Sequence, residues 1–409
     1  MPPTPRRPWT RFTMTVMTPL FSGDDPADGG DAIRVPSIRG QLRFWFRALA
    51  AGRGYDETQV WEQEEEVFGS TRVPSRIALR VDAQPGTPVG RGQEPPWTAA
   101  GKPFAGTRYL LGPGLWQDGA LSRGFVPKGR TFELAIRFTG CDRIDSRFLY
   151  AFWAWLTLGG LGARTRRGFG QLRCHPVDGT ALPDAWTFLG LDEATSWPTT
   201  LAQWNTLAAA PVLPVAEDYG AHEWGPLVTR GAELPDSPTL TPAWWGGRVL
   251  AARSRNGYST FNEALQDAGR QWREFLLCSK IDQSRSTPEW RDAIIGDGNQ
   301  FPRAALGLPV VYHRPQPPFQ ATVQADRGQL RRASPVWIRP VLLDDNRWHI
   351  FTHAFRAQLL PNGTTVTVEG DGKGKQLDIP EDAVTTALDA WLQVGTSSNR
   401  LRPGRRPQR

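Results

Sequence analysis

Three arginines recur at every fourth position in SIRGQLRFWFRALAAG (37–52): Arg39, Arg43 and Arg47. A helix turns about 100° per residue, so they would form one stripe beside an apolar face of Leu42, Trp45, Phe46 and Leu49. Like charges one turn apart repel each other and weaken a helix. The stripe therefore calls for counter-charge. Two sources fit: the acids of EQEEE (62–66), or a phosphodiester backbone, which would relieve the repulsion by binding.

A second stretch raises the same question. GGLGARTRRGFGQ (159–171) holds five glycines, three arginines and no acid, and it follows the apolar run FLYAFWAWLTL (148–158). A helix C-cap needs one glycine, and each further glycine costs backbone entropy to order. Gly162, Gly168 and Gly170 fit a loop that another backbone approaches closely, while Arg164, Arg166 and Arg167 supply charge for phosphates. The loop lacks the lysine and spacing of a P-loop and follows a helix rather than a strand, which argues against mononucleotide binding.

Residues suited to catalysis are sparse. The five histidines (175, 222, 313, 349, 353) all lie beyond the two basic motifs, whereas acid–base cleavage of RNA usually needs His, or a Tyr/Lys pair, beside the scissile phosphate. His349 and His353 would share one face of a strand, with no carboxylate at metal-ligand spacing. GDDPADGGD (23–31) lacks the spacing and terminal Glu of a calcium loop and reads as a solvated loop. Cys141, Cys174 and Cys278 form no CxxC pair, which disfavours a zinc or disulfide framework and fits a reducing cytoplasm. No catalytic residue, metal site or cofactor is expected.

The elements that must position these motifs are legible from periodicity. Strand patterns at 11–18, 75–81, 131–138 and 169–177 interleave with helical ones at 37–52 (Ser37 a candidate N-cap), 58–68 and 144–158. A proline- and glycine-rich loop is expected over 84–106. The order is β-α-β-β-α-β with insertions, a ferredoxin-like arrangement. The theme returns more faintly. A strand at 247–254, a helix at 259–279, a strand at 308–313, a hairpin of 334–343 with 347–360 and a helix at 380–394 suggest a second such domain. The expected fold class is α+β, with tandem ferredoxin-like (RRM-like βαββαβ) domains and long insertions. The boundaries are 8–177 and 247–396, with an irregular connection at 178–246 and a basic disordered tail at 397–409.

The 409 residues carry a net charge of +7, of which the acid-free tail from 399 contributes five, so the remainder is nearly balanced. Local acid-free patches on a balanced body suggest a chosen polyanion surface rather than general stickiness. The N-terminus has no apolar signal-like run, and the most apolar segment is far shorter than a membrane span. A cytoplasmic protein with no membrane partner is expected.

Taken together, PLF (19–21), IRVPSIRGQLRFWFRAL (33–49), VFGS (67–70), PKGRTFEL (127–134) and GGLGARTRRGFGQL (159–172) resemble the RAMP superfamily of CRISPR systems, most of all the first-numbered RAMP subunits of type III-B (Cmr) effector complexes. ALGLPVVY (305–312) and RRASPVWIRP (331–340) echo the second domain of such subunits. The resemblance implies a non-catalytic RNA-binding subunit of an RNA-guided antiviral ribonucleoprotein, sited near the 3′ end of the CRISPR RNA and assisting capture of target RNA. Its partners would be CRISPR RNA, target RNA and other Cmr subunits. Carried onto this chain, it marks Arg39, Arg43, Arg47, Arg164, Arg166 and Arg167 as RNA contacts, Gly160, Gly162 and Gly168 as the yielding backbone, and Phe44, Trp45 and Phe169 as stacking or supporting rings. The second domain departs from the pattern in having no clear glycine-rich loop. Two other readings stand beside this one: a RAMP-type endoribonuclease that processes CRISPR RNA, and a structural adaptor that binds only protein.

Overall fold

In the computed structural model, residues 7–22, 33–95, 105–192, 197–209, 239–250, 256–277, 281, 286–315, 318–328, 330–370, 373–379 and 382–394 are described. The acidic loop at 23–31, Cys278, His222, much of the 178–246 connection and the basic tail lie wholly or largely outside them.

The first sheet is antiparallel, in the order β2-β5-β1-β6, built from β1 (Thr10–Val16), β2 (Ala78–Ala83), β5 (Thr131–Arg137) and β6 (Leu172–Pro176). Between them come helices α1 (Val35–Gly52), α2 (Glu57–Phe68), α3 (Ala105–Leu111) and α4 (Asp142–Leu158), with a small hairpin of β3 (Trp116–Gln117) and β4 (Ala120–Leu121). Alternation in β1 buries Phe12, Met14 and Val16 against Ile38, Leu42 and Phe46 of α1 and Phe148 and Phe152 of α4. Helix α1 begins two residues before the expected Ser37 cap, with Pro36 in its first turn, where the missing N–H costs nothing. Helix α2 starts on a capping box of Asp56 and Gln59.

Two short helices, α5 (Asp184–Phe188) and α6 (Leu201–Ala209), lead to the second half. There β7 (Thr239–Leu250), β10 (Val336–Leu342) and β11 (Trp348–Arg356) form an antiparallel sheet, order β10-β11-β7. Helices α7 (Phe261–Leu277), α8 (Glu289–Ile294) and α9 (Ala383–Gln393) accompany it. The hairpin around Asp344-Asp345-Asn346 forms as its sequence predicts.

A third sheet, order β13-β12-β9-β8, joins β8 (Val310–Pro315), β9 (Pro318–Ala325), β12 (Val366–Gly370) and β13 (Lys373–Leu377) over its own small core of Val323, Val366, Val368 and Leu377. The chain is thus α+β with several antiparallel sheets. Of the third sheet, the sequence reading anticipates only β8. PFQATVQA, VTVEG and KGKQL are short, half polar and broken by glycine, so their period-2 signal is weak.

The two larger halves share side chains. Trp337, Phe351 and Phe355 of the second sheet belong to the same apolar cluster as α1 and α4. Phe21 and Phe169 of the first half belong to the cluster of α7 and α9.

Candidate nucleic-acid interface

The arginine stripe on α1 lies alongside α2. Glu64 of α2 is 4 % exposed. Its carboxylate accepts from Arg43 Nη1 at 2.6 Å and from Arg47 Nη2 at 2.8 Å, with a further bond from Arg47 Nε. Arg43 Nη2 also donates to the carbonyl of Phe68 at 3.1 Å and to that of Gly69. The hydrogen bond to Glu64 raises the pKa of Arg47, against the effect of its partial burial. EQEEE therefore relieves the stripe's repulsion at two of three positions. The third, Arg39, has no hydrogen bond or ion pair among the described residues, and burial together with the charge of Arg43 depresses its pKa. An arginine that stays charged without a counter-ion is the member of the stripe best placed to take one.

The glycine loop is a joint between the two halves. The second backbone that its glycines admit belongs to the protein itself. Leu161 N donates to Gly170 O at 2.8 Å, Gly170 N to Pro19 O at 2.9 Å and Ala163 N to Phe21 O at 2.8 Å. At Gly162 (φ +88°) a Cβ would stand 2.2 Å from Phe21 O, and at Gly170 (φ +69°) 1.9 Å from Leu161 O. Gly160 lies against the carbonyl of Gly170, and Gly168 against Leu265 and Pro340 of the second half.

The loop's arginines divide in the same way as the stripe's. Arg166 Nη1 donates to Ser334 O at 2.7 Å and Arg167 Nη1 to Val336 O at 2.8 Å, while Ile338 N donates back to Arg166 O at 3.1 Å. Their guanidinium groups lie over aromatic rings, Arg166 at 5.1 Å from Trp337 and 5.9 Å from Phe44, and Arg167 at 4.9 Å from Trp272. Burial depresses the pKa of both, with neighbouring arginines adding to the effect. Arg164 sits at φ +62°, and its side chain passes Gly112 without a hydrogen bond or ion pair among the described residues.

Phe44 and Arg166 bring the stripe and the loop together. Of the three rings marked as stacking or supporting, Trp45 and Phe169 are supports, because both are fully buried. Trp45 packs 5.4 Å from Trp337 and Phe169 5.5 Å from Phe21, so stacking on a base would require unpacking the core. Phe44, partly buried, packs edge-on against Trp45 at 5.2 Å.

Two features of the joint escape the sequence reading. Arg332 is partly buried, its Nε has no partner among the described residues, and its charge bears on Arg166. Arg339 of β10 reaches across to the C-terminus of α4 and donates to the carbonyls of Leu156 and Gly159. Both lie in RRASPVWIRP, whose period-2 pattern signals a strand but not what the strand meets.

The histidines of β11 do not pair with each other. His349 Nε2 lies 3.0 Å from Asp345 Oδ2. His353 is fully buried between Trp337 (5.7 Å, 12°) and Trp244 (5.6 Å, 25°). Burial, then the charges of Arg339 and Arg166, hold its pKa well below the ordinary value. The unfolded chain protonates this histidine near pH 6.5 while the folded chain does not, so its contribution to stability is lost as pH falls. As pH falls from 6.5 to 5 the wild type should therefore lose stability relative to His353→Phe, a difference readable by urea denaturation at the two pH values. Among the described residues, no three His, Cys, Asp or Glu side chains cluster as metal ligands, and no helix is long and apolar enough to cross a membrane.

Residues 13–173 match the model of the RAMP superfamily, a span from β1 through the glycine loop to β6. The CRISPR system Cmr subunit Cmr1-2 of Pyrococcus furiosus is 30% identical over 193 residues, covering 40% of this chain and 92% of that protein. The chain belongs to the RAMP superfamily. Within the superfamily it is related to Cmr1 of the type III-B CRISPR Cmr complex. Cmr1-1 of the same organism is 29% identical over 153 residues, covering 37% of this chain and 43% of its own length, so the match spans less than half of that relative. The crystal structure of Cmr1 from P. furiosus in its apo form superposes with a TM-score of 0.52 at 20% identity, over 87% of this chain and 90% of that one, and shares the RAMP fold.

Proposed function

We propose that this chain is a non-catalytic, RNA-binding subunit of a type III-B CRISPR ribonucleoprotein, sited near the 3′ end of the CRISPR RNA and assisting capture of target RNA. Its partners are then CRISPR RNA, target RNA and the other Cmr subunits. Its two larger halves are read as tandem ferredoxin-like domains, the first sheet having the strand order 2-3-1-4 of that fold and the second, β10-β11-β7, the 2-3-1 part of it. Kinship with Cmr1-2 supports the assignment. The physical observation that carries it is that Arg39 and Arg164 have no hydrogen bond or ion pair among the described residues, whereas Arg43, Arg47, Arg166 and Arg167 each have one. The phosphate-contacting role is therefore assigned first to these two. Arg43, Arg47, Arg166 and Arg167 hold the surface in place, and the glycines let the loop close.

The test is the salt dependence of binding to single-stranded guide and target RNA. Replacing both Arg39 and Arg164 with Ala should weaken binding about tenfold near 0.15 M salt and reduce the log–log salt slope by about 2, without a change in Tm. Unchanged affinity would remove the assignment of these residues. Site-specific cleavage of repeat RNA by the purified chain would instead favour the endoribonuclease reading.

A further inference from the structure

Beside this joint, a cavity of about 550 Å³ opens between the edge strands β6 and β10. Its walls include Trp186, Trp197 and Trp204, with the last turn of α4 at one end. Four lining residues, each more than nine-tenths buried, carry a polar atom with no partner among the described residues: Thr157 Oγ1, Gln171 Nε2, Trp204 Nε1 and Arg339 Nε. Buried polar atoms are nearly always satisfied, so four orphans around one cavity call for an occupant. Three of the four can only donate.

The chemistry of the lining narrows the occupant. Aromatic walls suit a flat ring, and donors suit carbonyl oxygens on its edge. Asp192 and Asp344 also line the cavity, against Arg173 and Arg339, so the near-balanced charge favours a neutral ring over a phosphate. Pro340 removes a backbone donor from the β10 edge, and Arg173 already occupies the carbonyl of Leu342 at 3.3 Å. Both features weigh against an added peptide strand.

We propose that this cavity is a nucleobase pocket that takes one unstacked keto base, uracil or guanine, from single-stranded RNA. The proposal rests on the RNA-binding reading above and adds base selectivity at a second, separate position. Gln171 and Arg339 donate to the keto oxygen, and Trp197, the partly buried one of the three tryptophans, stacks on the ring.

The test uses the full chain and two octanucleotides, oligouridylate and oligoadenylate, followed by fluorescence anisotropy. Wild type should prefer the uridylate by about tenfold. Leu182, 38 % exposed and part of the lining, offers a site to fill the cavity without disturbing the core. Leu182→Trp should erase the preference while leaving oligoadenylate affinity and Tm unchanged, and Leu182→Phe serves if the larger ring lowers Tm. Equal affinities in the wild type, or a preference that survives filling, would overturn the pocket. So would a fall in Tm with both fillers and no change in preference, which would indicate that the chain itself occupies the space. Failure of the phosphate-contact reading looks different: Arg39→Ala with Arg164→Ala would leave both octanucleotides bound as before.

Discussion

Gly170→Ala should lower the unfolding free energy by about 3 kcal/mol or more, and weaken with it the RNA binding proposed for this loop. Three costs add. The position has φ +69°, where an alanine costs about 1 kcal/mol. The new Cβ would stand 1.9 Å from Leu161 O, a backbone atom that cannot swing aside. Relieving that clash means breaking Leu161 N to Gly170 O and Gly170 N to Pro19 O, each worth about 1 kcal/mol. Gly179 provides the control. It also has positive φ, +74°, but nothing lies within 4 Å of its would-be Cβ, so Gly179→Ala should show the conformational cost alone, about 1 kcal/mol. Urea denaturation of the two variants separates close approach from conformation. If both lost the same amount, close packing of the loop would not be what its glycines are for.

That result also bears on what the sequence could disclose. In the first 175 residues, alternation in RFTMTVMT and TFELAIRF and helical spacing in LRFWFRAL placed the elements of the first sheet within a few residues, because each buries one apolar face. The glycine loop was legible as a site of close backbone approach. Which backbone approaches was not, since Phe21, Ser334 and Val336 are brought to it only by tertiary packing. The arginine stripe shows the same limit. Spacing marked three like charges and named EQEEE as one source of relief, but only the docking angle of α2 decides that Glu64 meets Arg43 and Arg47 and misses Arg39. Strands β9, β12 and β13 were hidden for a different reason: a small sheet with one polar face needs few apolar residues, and its pattern sinks into that of a loop.

Arg339→Met should cost about 3 kcal/mol, and the loss should be concentrated where the two halves meet. In the native chain the guanidinium group is 7 % exposed and donates to the carbonyl of Leu156 in the last turn of α4 and to that of Gly159 just beyond it. A cation at that end also meets the negative pole of the helix. Methionine keeps most of the buried hydrocarbon but donates nothing, so two buried carbonyls lose their partners, at about 1–3 kcal/mol each. An opposing effect exists, because no acid among the described residues pairs with this arginine and burial depresses its pKa. Removing a desolvated charge returns part of what its burial cost. The carbonyls should win, since two acceptors are stranded for one charge removed, and a charge shared between two carbonyls is already partly compensated. Arg339→Lys discriminates: a single ammonium keeps the charge but lacks the planar fork that spans both oxygens, so it should recover no more than half of the loss. Hydrogen exchange locates the effect. Amides in the last turn of α4 and in the glycine loop should lose protection in the methionine variant, while those of the distant third sheet keep theirs. Uniform loss across all three sheets would mean that Arg339 supports global stability rather than the joint.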